Sequence, residues 1–224
     1  MVNNQSSLLW YDYETLGINP RRDRVVQFAA IRTDMALNII SDPIDLFCQP
    51  AWDTLADPHA CLVTGISPLF ALKNGLPEAD FAQRIFDEMA RPNTCTVGYN
   101  SIRFDDEFSR FLFYRNLFDP YQREWKHGNS RWDLLDVVRM TWALKPETLN
   151  WPVDDGGVTR FKLEQLTALN GIGHEKAHDA VSDVKATIGL YYADTLANLN
   201  GGIQFVRGGT ATNGWLNFVA SGGV

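Results

Sequence analysis

The feature that most constrains the fold is a pair of acids on an apolar β-type run. The run extends from Leu8 to Tyr13 and includes Asp12, and Glu14 follows directly after it. Residues two apart on a strand point to the same face, so the two carboxylates share one face and Tyr13 lies on the other. Neighbouring carboxylates on a core strand repel each other and lose hydration unless a cation lies between them. Because the preceding residues are apolar, the pair favours a metal site over a solvated strand end.

The order of the predicted elements indicates an α/β fold with a mixed sheet. Three β-type runs with short connections come first, at 8–13, 25–33 and 44–49, which is typical of an antiparallel meander. The segment VTGIS at 63–67 predicts a turn that leads into a helix near Pro68. Further on, the pattern predicts a strand at 94–99, a loop at 150–159 and helices at 78–91, 104–118, 132–144, 162–170 and 177–199. Strands followed by alternating strand and helices define the α/β class.

Length and composition predict one well-buried core, since the chain has 224 residues of which 45% are hydrophobic. The net charge of −7 disfavours tight non-specific binding to duplex nucleic acid. It does not exclude a nuclease, because bound metal can replace Lys and Arg in neutralising a phosphate.

The ends of the chain and its cysteines point to a protein of the reducing cytoplasm. Cys48, Cys61 and Cys95 include no CxxC pair, which favours small buried hydrophobic residues over a disulfide or a zinc site. The N-terminal MVNNQSS lacks the basic region of a signal peptide, and no run approaches a membrane span. Residues 201–224 contain seven glycines and no acid, which indicates a flexible or poorly packed tail. The beginning of a second domain and non-native sequence are the alternatives.

A further group of acids begins the predicted helix at Phe104. Asp105 follows the β-type run 94–99 closely, and Asp106 and Glu107 come directly after it. Acids in a first helical turn are common because they compensate the helix dipole and cap its amides. Spacing alone does not choose among the three acids.

The segment HDAVSD places His178 and Asp183 five residues apart. On a straight helix that spacing would separate the two side chains by about 140°. We therefore expect His178 on a loop ahead of the helix and Asp183 inside it. A loop histidine can move towards a substrate, which suits a general base, although a surface histidine at a helix start is common. Asp179 is the competing carboxylate.

Taken together, four carboxylates and one imidazole are the set that a two-metal phosphodiesterase needs. The order of D-x-E, a mid-chain Asp and H-x-A-x-x-D resembles the DEDDh exonucleases. The segments WYDYETLG, GYNSIRFDDEFSR, NSRWDLLDVVR and AHDAVSDVKATI look like the exonuclease domain of the bacterial exodeoxyribonuclease I family, and the resemblance spans roughly residues 8–195. It implies a ribonuclease H-like mixed sheet, an antiparallel meander plus parallel strands, flanked by helices.

The resemblance also implies the chemistry. Asp12, Glu14, Asp105 and Asp183 would hold two Mg²⁺ ions, for which Mn²⁺ would substitute, and His178 would act as general base. Position in the family motif selects Asp105 over its neighbours. The implied enzyme is a 3′→5′ exonuclease that degrades single-stranded DNA from its 3′ end to 5′-mononucleotides, in DNA repair or recombination in the cytoplasm. A single-stranded DNA-binding protein is a further candidate partner. The domain would cover residues 1–200.

Substrate contacts are expected at six positions. Glu14, Thr15, Leu16 and Gly17 would line the pocket of the 3′ nucleotide, where glycine permits a close backbone approach. Lys162 stands where the family has an Arg that contacts phosphate; Lys keeps the charge but loses the bidentate fork. Trp151 lies in a Pro/Gly-rich loop and is the best surface candidate for base stacking. Tyr99 and Trp132 are further stacking candidates, whereas core packing is the better interpretation for Trp10 and Phe104.

Two alternatives stay open. A related exonuclease could act on RNA or on proofreading substrates, since the contacts that distinguish a 2′-OH are not legible in the sequence. A module of another class could hold a 3′ end without cutting it, because nothing in residues 1–200 resembles the clamping domains of the family.

Overall fold

The computed structural model describes residues 6–174, 177–199, 203–206 and 217–220. Its main sheet has five strands, namely β1 (Ser7–Thr15), β2 (Val25–Thr33), β3 (Ile44–Phe47), β4 (Thr94–Gly98) and β5 (Ser130–Asp133). The strand order is β3-β2-β1-β4-β5. The first three strands form an antiparallel meander, and β1, β4 and β5 run parallel to one another. The prediction of an α/β fold with a mixed sheet is confirmed.

Seven α-helices accompany the sheet in the described part of the chain: α1 (Pro58–Thr64), α2 (Pro68–Asn74), α3 (Glu78–Met89), α4 (Asp105–Arg115), α5 (Leu134–Leu144), α6 (Leu163–Leu169) and α7 (Ala180–Leu199). The sequence did not predict α1. The Asp57 side chain caps it by accepting from the His59 amide, Pro58 occupies its first turn, and Gly65 ends it with a φ of 72°. These local signals define a helix too short to show an apolar period.

Several predicted helix boundaries differ from the structure by two or three residues; among them, α3 ends at Met89 and not Arg91, and α7 begins at Ala180 and not Ala177. The helix expected from Trp132 begins at Leu134, because residues 130–133 form β5 and Trp132 pairs with Val97 of β4. Asp133 ends that strand and caps α5 by accepting from the Leu135 amide at 3.0 Å. A strand that passes into a helix without a turn gives one continuous apolar pattern, which conceals the change. The helix expected to reach Phe118 ends at Arg115, and Leu117 has a φ of 63°.

Side chains of β1 alternate between two cores, one on each face of the sheet. Leu9, Tyr11 and Tyr13 pack with residues of α3 and α4. Leu8 and Trp10 pack on the other face, against the first turns of α7. Trp10 is fully buried and its indole N–H donates to the Thr33 hydroxyl at 3.0 Å, which confirms its expected place in the core. Asp12 and Glu14 follow Trp10 in the same alternation and therefore face the side of α7.

The tail contains two short strands that the sequence did not predict. Strands β6 (Ile203–Val206) and β7 (Asn217–Ala220) pair in antiparallel orientation. The rest of the segment 200–224 and residues 1–5 lie outside the described residues. The predictions of a flexible tail and of an N-terminus that is not a signal peptide concern these residues and stay predictions. No described helix combines the length and the apolar character needed to cross a membrane.

The three cysteines were expected to be buried like small hydrophobic residues, and they are buried to different extents. Cys48 is buried, and burial raises the pKa of its thiol to about 12. Cys61 and Cys95 are half-buried.

Candidate active site

The five residues selected from the sequence converge on one cleft. The parallel strands β1, β4 and β5 end at the same edge of the sheet, the edge at which open α/β sheets bind ligands. A cleft of about 320 Å³ opens there, a size found for pockets that enclose small ligands. Its lining includes all five of them: Asp12, Glu14, Asp105, His178 and Asp183.

Asp12 lies at the electrostatic centre of the cluster. Its pKa is raised well above the ordinary carboxyl value, first by burial and then by the negative charges of Asp105, Glu14 and Asp183. Three acids that together raise the pKa of a fourth form an unfavourable arrangement unless a counter-charge is present. Bound cations would remove that penalty.

Asp105 and Asp106 are adjacent but have opposite surroundings. The buried Oδ1 atom of Asp105 has no hydrogen-bond partner among the described residues. Burial, followed by the charge of Asp106, raises the pKa of Asp105 well above its ordinary value. Asp106 instead accepts from the Tyr11 hydroxyl at 2.7 Å, from Arg123 at 2.5 Å and from Arg131 at 2.7 Å. Burial alone would raise the pKa of Asp106, but these partners outweigh burial and leave that pKa below its ordinary value.

The structure thus gives a physical reason to select Asp105, which the sequence alone did not. Asp106 has its charge neutralised inside the protein, and Glu107 pairs with Arg110 along the helix surface. Only Asp105 presents an unsatisfied buried oxygen and also lines the cleft. A buried carboxylate oxygen without a partner needs an explanation, and a bound cation is one that suits an anionic group.

The loop that leads into α4 and Asp105 is tied to the neighbouring strand β5 by Asp133. Besides capping α5, the Asp133 carboxylate accepts from the backbone amides of Asn100 at 2.8 Å and Ile102 at 3.1 Å. Asn100 has a φ of 61° and lines the cleft, although the sequence analysis did not select it. An Asn directly after a strand that ends beside β1 was the available signal, because Asn tolerates left-handed backbone better than most residues.

The start of α7 carries the remaining two groups. His178 lies on the loop ahead of this helix, as the spacing predicted, and is exposed with a φ of 59°. Asp183 belongs to the first turn, and its carboxylate accepts from the His178 backbone amide. The competing Asp179 has a capping contact, in which its Oδ1 accepts from the Ser182 amide at 3.2 Å. Burial raises the pKa of Asp183, and a hydrogen bond from His174 opposes that shift.

This donor set fits a divalent cation. One potential ligand atom from each of Glu14, His178 and Asp183 lies within 4.8 Å of the other two. Carboxylate oxygens are the ligands that Mg²⁺ prefers, and an imidazole nitrogen extends the set to Mn²⁺ or Zn²⁺. Asp105, whose buried Oδ1 atom has no hydrogen-bond partner among the described residues, lines the same cleft.

Two of the three residues after Glu14 line the cleft, and one does not. Thr15 lines it, and its hydroxyl donates to the Gly17 carbonyl at 2.7 Å. Leu16 is 1% exposed and packs in a core with Val26 and Ala71, while its amide and carbonyl bond to Arg24 and Asp57. The Leu16 side chain therefore faces this core, because a register shift between Glu14 and Thr15 interrupts the alternation of β1. A contact between Leu16 and the 3′ nucleotide stays a prediction.

Gly17 lines the cleft, but the need for glycine at this position is explained by a close contact with Asp23. A Cβ atom placed there would lie 2.2 Å from Oδ2 of Asp23. That same oxygen accepts from the Asn19 amide at 2.9 Å and closes the turn between β1 and β2. The close approach expected at Gly17 is therefore made by Asp23 in this structure.

Lys162 lines a second cleft beside the first. A second cleft of about 360 Å³ shares Asp12 and Asp183 with the first and is also lined by Lys162 and Arg139. The Lys162 side chain is 68% exposed and lies 3.7 Å from Glu164.

Trp151 lines neither of these two clefts, and its role as a surface stacking residue stays a prediction. Its indole N–H donates to the Pro146 carbonyl at 2.6 Å, and its ring packs edge-on against Phe161. A Pro/Gly-rich loop suggests exposure, but this loop folds back on an apolar cluster. Among the other aromatics, Tyr99 lines both clefts and Phe104 lines the first, whereas Trp132 packs against Tyr191.

Part of the first cleft comes from residues that the sequence analysis did not select. Ile18 is 81% exposed, and α1 contributes His59, Ala60 and Val63. Because α1 was not predicted, its side chains could not be placed at the strand ends.

Comparison with known proteins defines the class first. Residues 9–191 match the family model described as exonuclease. The chain therefore belongs to the exonuclease family.

Within that class the chain is similar to exodeoxyribonuclease I. It is 54% identical to exodeoxyribonuclease I of Escherichia coli (strain K12) over 186 residues, which cover 83% of this chain and 39% of that protein. The crystal structure of E. coli exonuclease I in complex with a dA16 oligonucleotide matches with a TM-score of 0.86 and 51% identity, covering 88% of this chain and 42% of that one. The zinc-bound form of the E. coli enzyme with single-stranded DNA matches with a TM-score of 0.83 and 51% identity, covering 86% and 41%.

These similarities confirm the resemblance and the ribonuclease H-like fold that it implies. The chain spans 39% of the length of this curated relative, so the similarity concerns the exonuclease part of it.

The contrast between Asp105 and Asp106 generates a paired stability prediction for the metal-free protein. Asp105→Asn should raise the unfolding temperature, because it removes a buried, repelled charge. Asp106→Asn should lower stability by about 3–5 kcal/mol, the cost of breaking a buried ion pair. Thermal unfolding in EDTA at pH 7 measures both.

The pH dependence gives the control for this pair. Since the folded-state pKa of Asp105 is raised, the wild type loses stability as pH rises through that pKa and regains it on acidification. The advantage of Asp105→Asn should therefore shrink progressively as the pH falls from 7 towards the ordinary carboxyl pKa of about 4. An equal loss of stability in both variants would contradict the assignment of Asp105 as the cation-facing acid.

Proposed function

We propose that this chain is the catalytic domain of a metal-dependent 3′→5′ exonuclease, which degrades single-stranded DNA to 5′-mononucleotides. The observation that carries the proposal is the convergence of four carboxylates and an exposed histidine in one cleft of an exonuclease-family fold. The similarity to a structure of E. coli exonuclease I bound to dA16 supports the choice of single-stranded DNA.

In this proposal Asp12, Glu14, Asp105 and Asp183 hold two divalent cations, with Mg²⁺ as the natural ion and Mn²⁺ as a substitute. The raised pKa of Asp12 and the partnerless oxygen of Asp105 support a site that needs positive charge. When bound, the cations would make a water molecule more acidic and stabilise the leaving 3′-oxygen. The zinc-bound structure of the E. coli enzyme agrees with cation binding in this fold.

His178 is the proposed general base. Its ring is exposed at the cleft, where it can reach the solvent side of a bound phosphodiester. Its left-handed backbone is uncommon for a residue other than glycine, and such strained positions concentrate at functional sites. A neutral imidazole nitrogen can accept a proton from the attacking water, which is the task of a general base.

Substrate contacts are proposed for Glu14, Thr15 and Gly17 in the first cleft and for Lys162 in the second. Lys162 is exposed beside Asp12 and Asp183, so its ammonium group can meet a phosphate next to the cation site. Arg139 lines the same cleft, but its guanidinium lies 3.2 Å from Asp136. Lys162 is thus the less constrained cation of the two.

The domain limits and the cellular role belong to the same proposal. A catalytic domain of residues 1–200 is supported by the family match over 9–191 and by α7, which ends at Leu199. A role in DNA repair or recombination in the cytoplasm, with single-stranded DNA-binding protein as a partner, follows from the proposed substrate.

Two alternatives differ in measurable ways. An exonuclease for RNA would have the same metal cleft, because the acids and His178 act on the phosphodiester and not on the sugar. A module that only holds 3′ ends would bind strands without releasing nucleotides.

Digestion of end-labelled single strands tests the function and both alternatives. With Mg²⁺, 3′-labelled DNA should lose its label at once as a mononucleotide, and 5′-labelled DNA should shorten progressively. EDTA should stop both, because the carboxylates act through cations. Asp12→Asn should retain less than about a tenth of the activity, since removing a ligand to the cations removes most of their catalytic contribution. Faster digestion of a matched RNA strand would favour the first alternative, and binding without mononucleotide release would favour the second.

His178→Ala should lower the turnover rate by roughly 10²–10⁴-fold, the range for the loss of a general base. His59→Ala is the matched control, because His59 is an exposed histidine in the same cleft without a proposed role in proton transfer. Calorimetric titration with Mn²⁺ should show nearly unchanged binding for both variants. Loss of Mn²⁺ binding in His178→Ala would identify His178 as a metal ligand, which its distance from Glu14 and Asp183 also permits.

Lys162→Ala should raise KM more than it lowers kcat, because Lys162 holds the strand and takes no part in bond cleavage. Lys162→Arg should lower KM, since a guanidinium can bind two phosphate oxygens at once. Steady-state kinetics on a short oligonucleotide measure both constants, with Lys73→Ala on the exposed surface of α2 as control. Unchanged kinetics in both Lys162 variants would show that the strand passes elsewhere.

A further inference from the structure

A second histidine contacts the metal-site carboxylate Asp183 from behind the cleft. His174 lies on the loop between α6 and α7, and its Nε2 atom is 2.5 Å from Oδ1 of Asp183. The side chain is only 6% exposed, and His174 is not among the residues that line either cleft. It cannot touch a substrate in the first cleft in the way that the exposed His178 can.

The other side of the His174 ring is fixed as well. Its Nδ1 atom lies 3.1 Å from the hydroxyl oxygen of Thr167, a buried residue of α6. The Thr167 hydroxyl in turn donates to the Leu163 carbonyl at 2.8 Å, one turn earlier in the same helix. A continuous chain of polar contacts therefore runs from the backbone of α6 through His174 to Asp183.

The loop that carries His174 is itself held on both sides. The Ile172 amide donates to the Thr167 carbonyl at 2.9 Å, which ties the loop to α6. Ile172 also packs so closely on α7 that a Cβ atom at Gly189 would lie 2.7 Å from its side chain. The ring of His174 is thus placed relative to both helices.

We propose that His174 is a positioning residue that orients the Asp183 carboxylate for cation binding. The inference rests on the proposed function only in that it takes Asp183 as a ligand. With Oδ1 held by His174, the rotation of the carboxylate is fixed and its remaining lone pairs are directed towards the cleft, where Asp183 contributes to the lining. Partners that orient a ligand from outside the coordination shell typically change metal affinity by 10–100-fold.

The two histidines of this loop therefore have separate tasks. His178 is exposed at the cleft and is the proposed base, whereas His174 is buried behind Asp183. Loss of His178 should slow bond cleavage at any metal concentration. Loss of His174 should instead raise the metal concentration that is required, with the rate recovering when metal is in excess.

The test is calorimetric titration of Mn²⁺ into the full chain, in the wild type and in His174→Ala and His174→Gln, with Mg²⁺ dependence of nuclease activity as a second measurement. His174→Ala should weaken Mn²⁺ binding by roughly 10–100-fold. His174→Gln should restore most of the affinity, because its amide nitrogen can take the position of Nε2 and donate to Asp183. His127→Asn is the control, since His127 is exposed and lines neither cleft, and Asn tolerates its φ of 56°.

The possible outcomes separate this inference from the proposed function. Unchanged Mn²⁺ affinity in His174→Ala, or an equal loss in the Ala and Gln variants, overturns the positioning role. If His174→Ala does not fold, as thermal unfolding in EDTA will show, the comparison of His174→Gln with the wild type and His127→Asn decides, and more than a tenfold loss in His174→Gln overturns the proposal. A wild type that binds Mn²⁺ but releases no nucleotides refutes the proposed function, and the calorimetric comparison still decides the role of His174.

Discussion

The site depends on a buried charge that is neutralised inside the protein. Asp106 is 1% exposed and lies between Arg123, which is fully buried, and Arg131, with the Tyr11 hydroxyl as a third partner. Tyr11 belongs to β1 and Asp106 to the first turn of α4, so this network joins the central strand to the helix that carries Asp105. Breaking such a pair leaves an uncompensated charge in the interior, which is why the network resists rearrangement. The orientation of Asp105 towards the cleft follows from that fixed position.

Strand β1 carries hydrogen-bonded tyrosines on one face and clustered carboxylates on the other. The odd-numbered Tyr11 and Tyr13 direct their hydroxyls to Asp106 and Ser109 of α4, and both phenols have a pKa above the ordinary value because they are buried. The even-numbered Asp12 and Glu14 face the cleft at the side of α7. One face is therefore stabilised by internal partners, whereas on the other face burial and the charges of neighbouring acids raise the pKa of Asp12. The fold provides the stability that the acid cluster does not.

The sequence predicts well those features that repeat or that follow a known motif. The meander, most of the helices and the convergence of the five candidate residues could be foreseen, because apolar periodicity and strand alternation are local. Three kinds of feature could not. The short helix α1 has capping signals but no period, and β5 passes into α5 without a turn. The packing of Leu16 in a core and of Trp151 against an apolar cluster depends on contacts with residues distant in the chain. The choice of Asp105 over Asp106 depends on Arg123, seventeen residues further along.

The charge of the chain makes metal and strand binding mutually dependent in the proposed function. A net charge of −7 and four acids in one cleft repel a phosphodiester, so an anionic strand can approach these residues only when cations are present. The strand phosphates in turn add negative ligands for those cations. Each ligand therefore raises the affinity for the other, and thermodynamic linkage makes the two effects equal. His174 enters this coupling through Asp183, because a carboxylate that is already oriented loses less freedom when the cation and the strand arrive together.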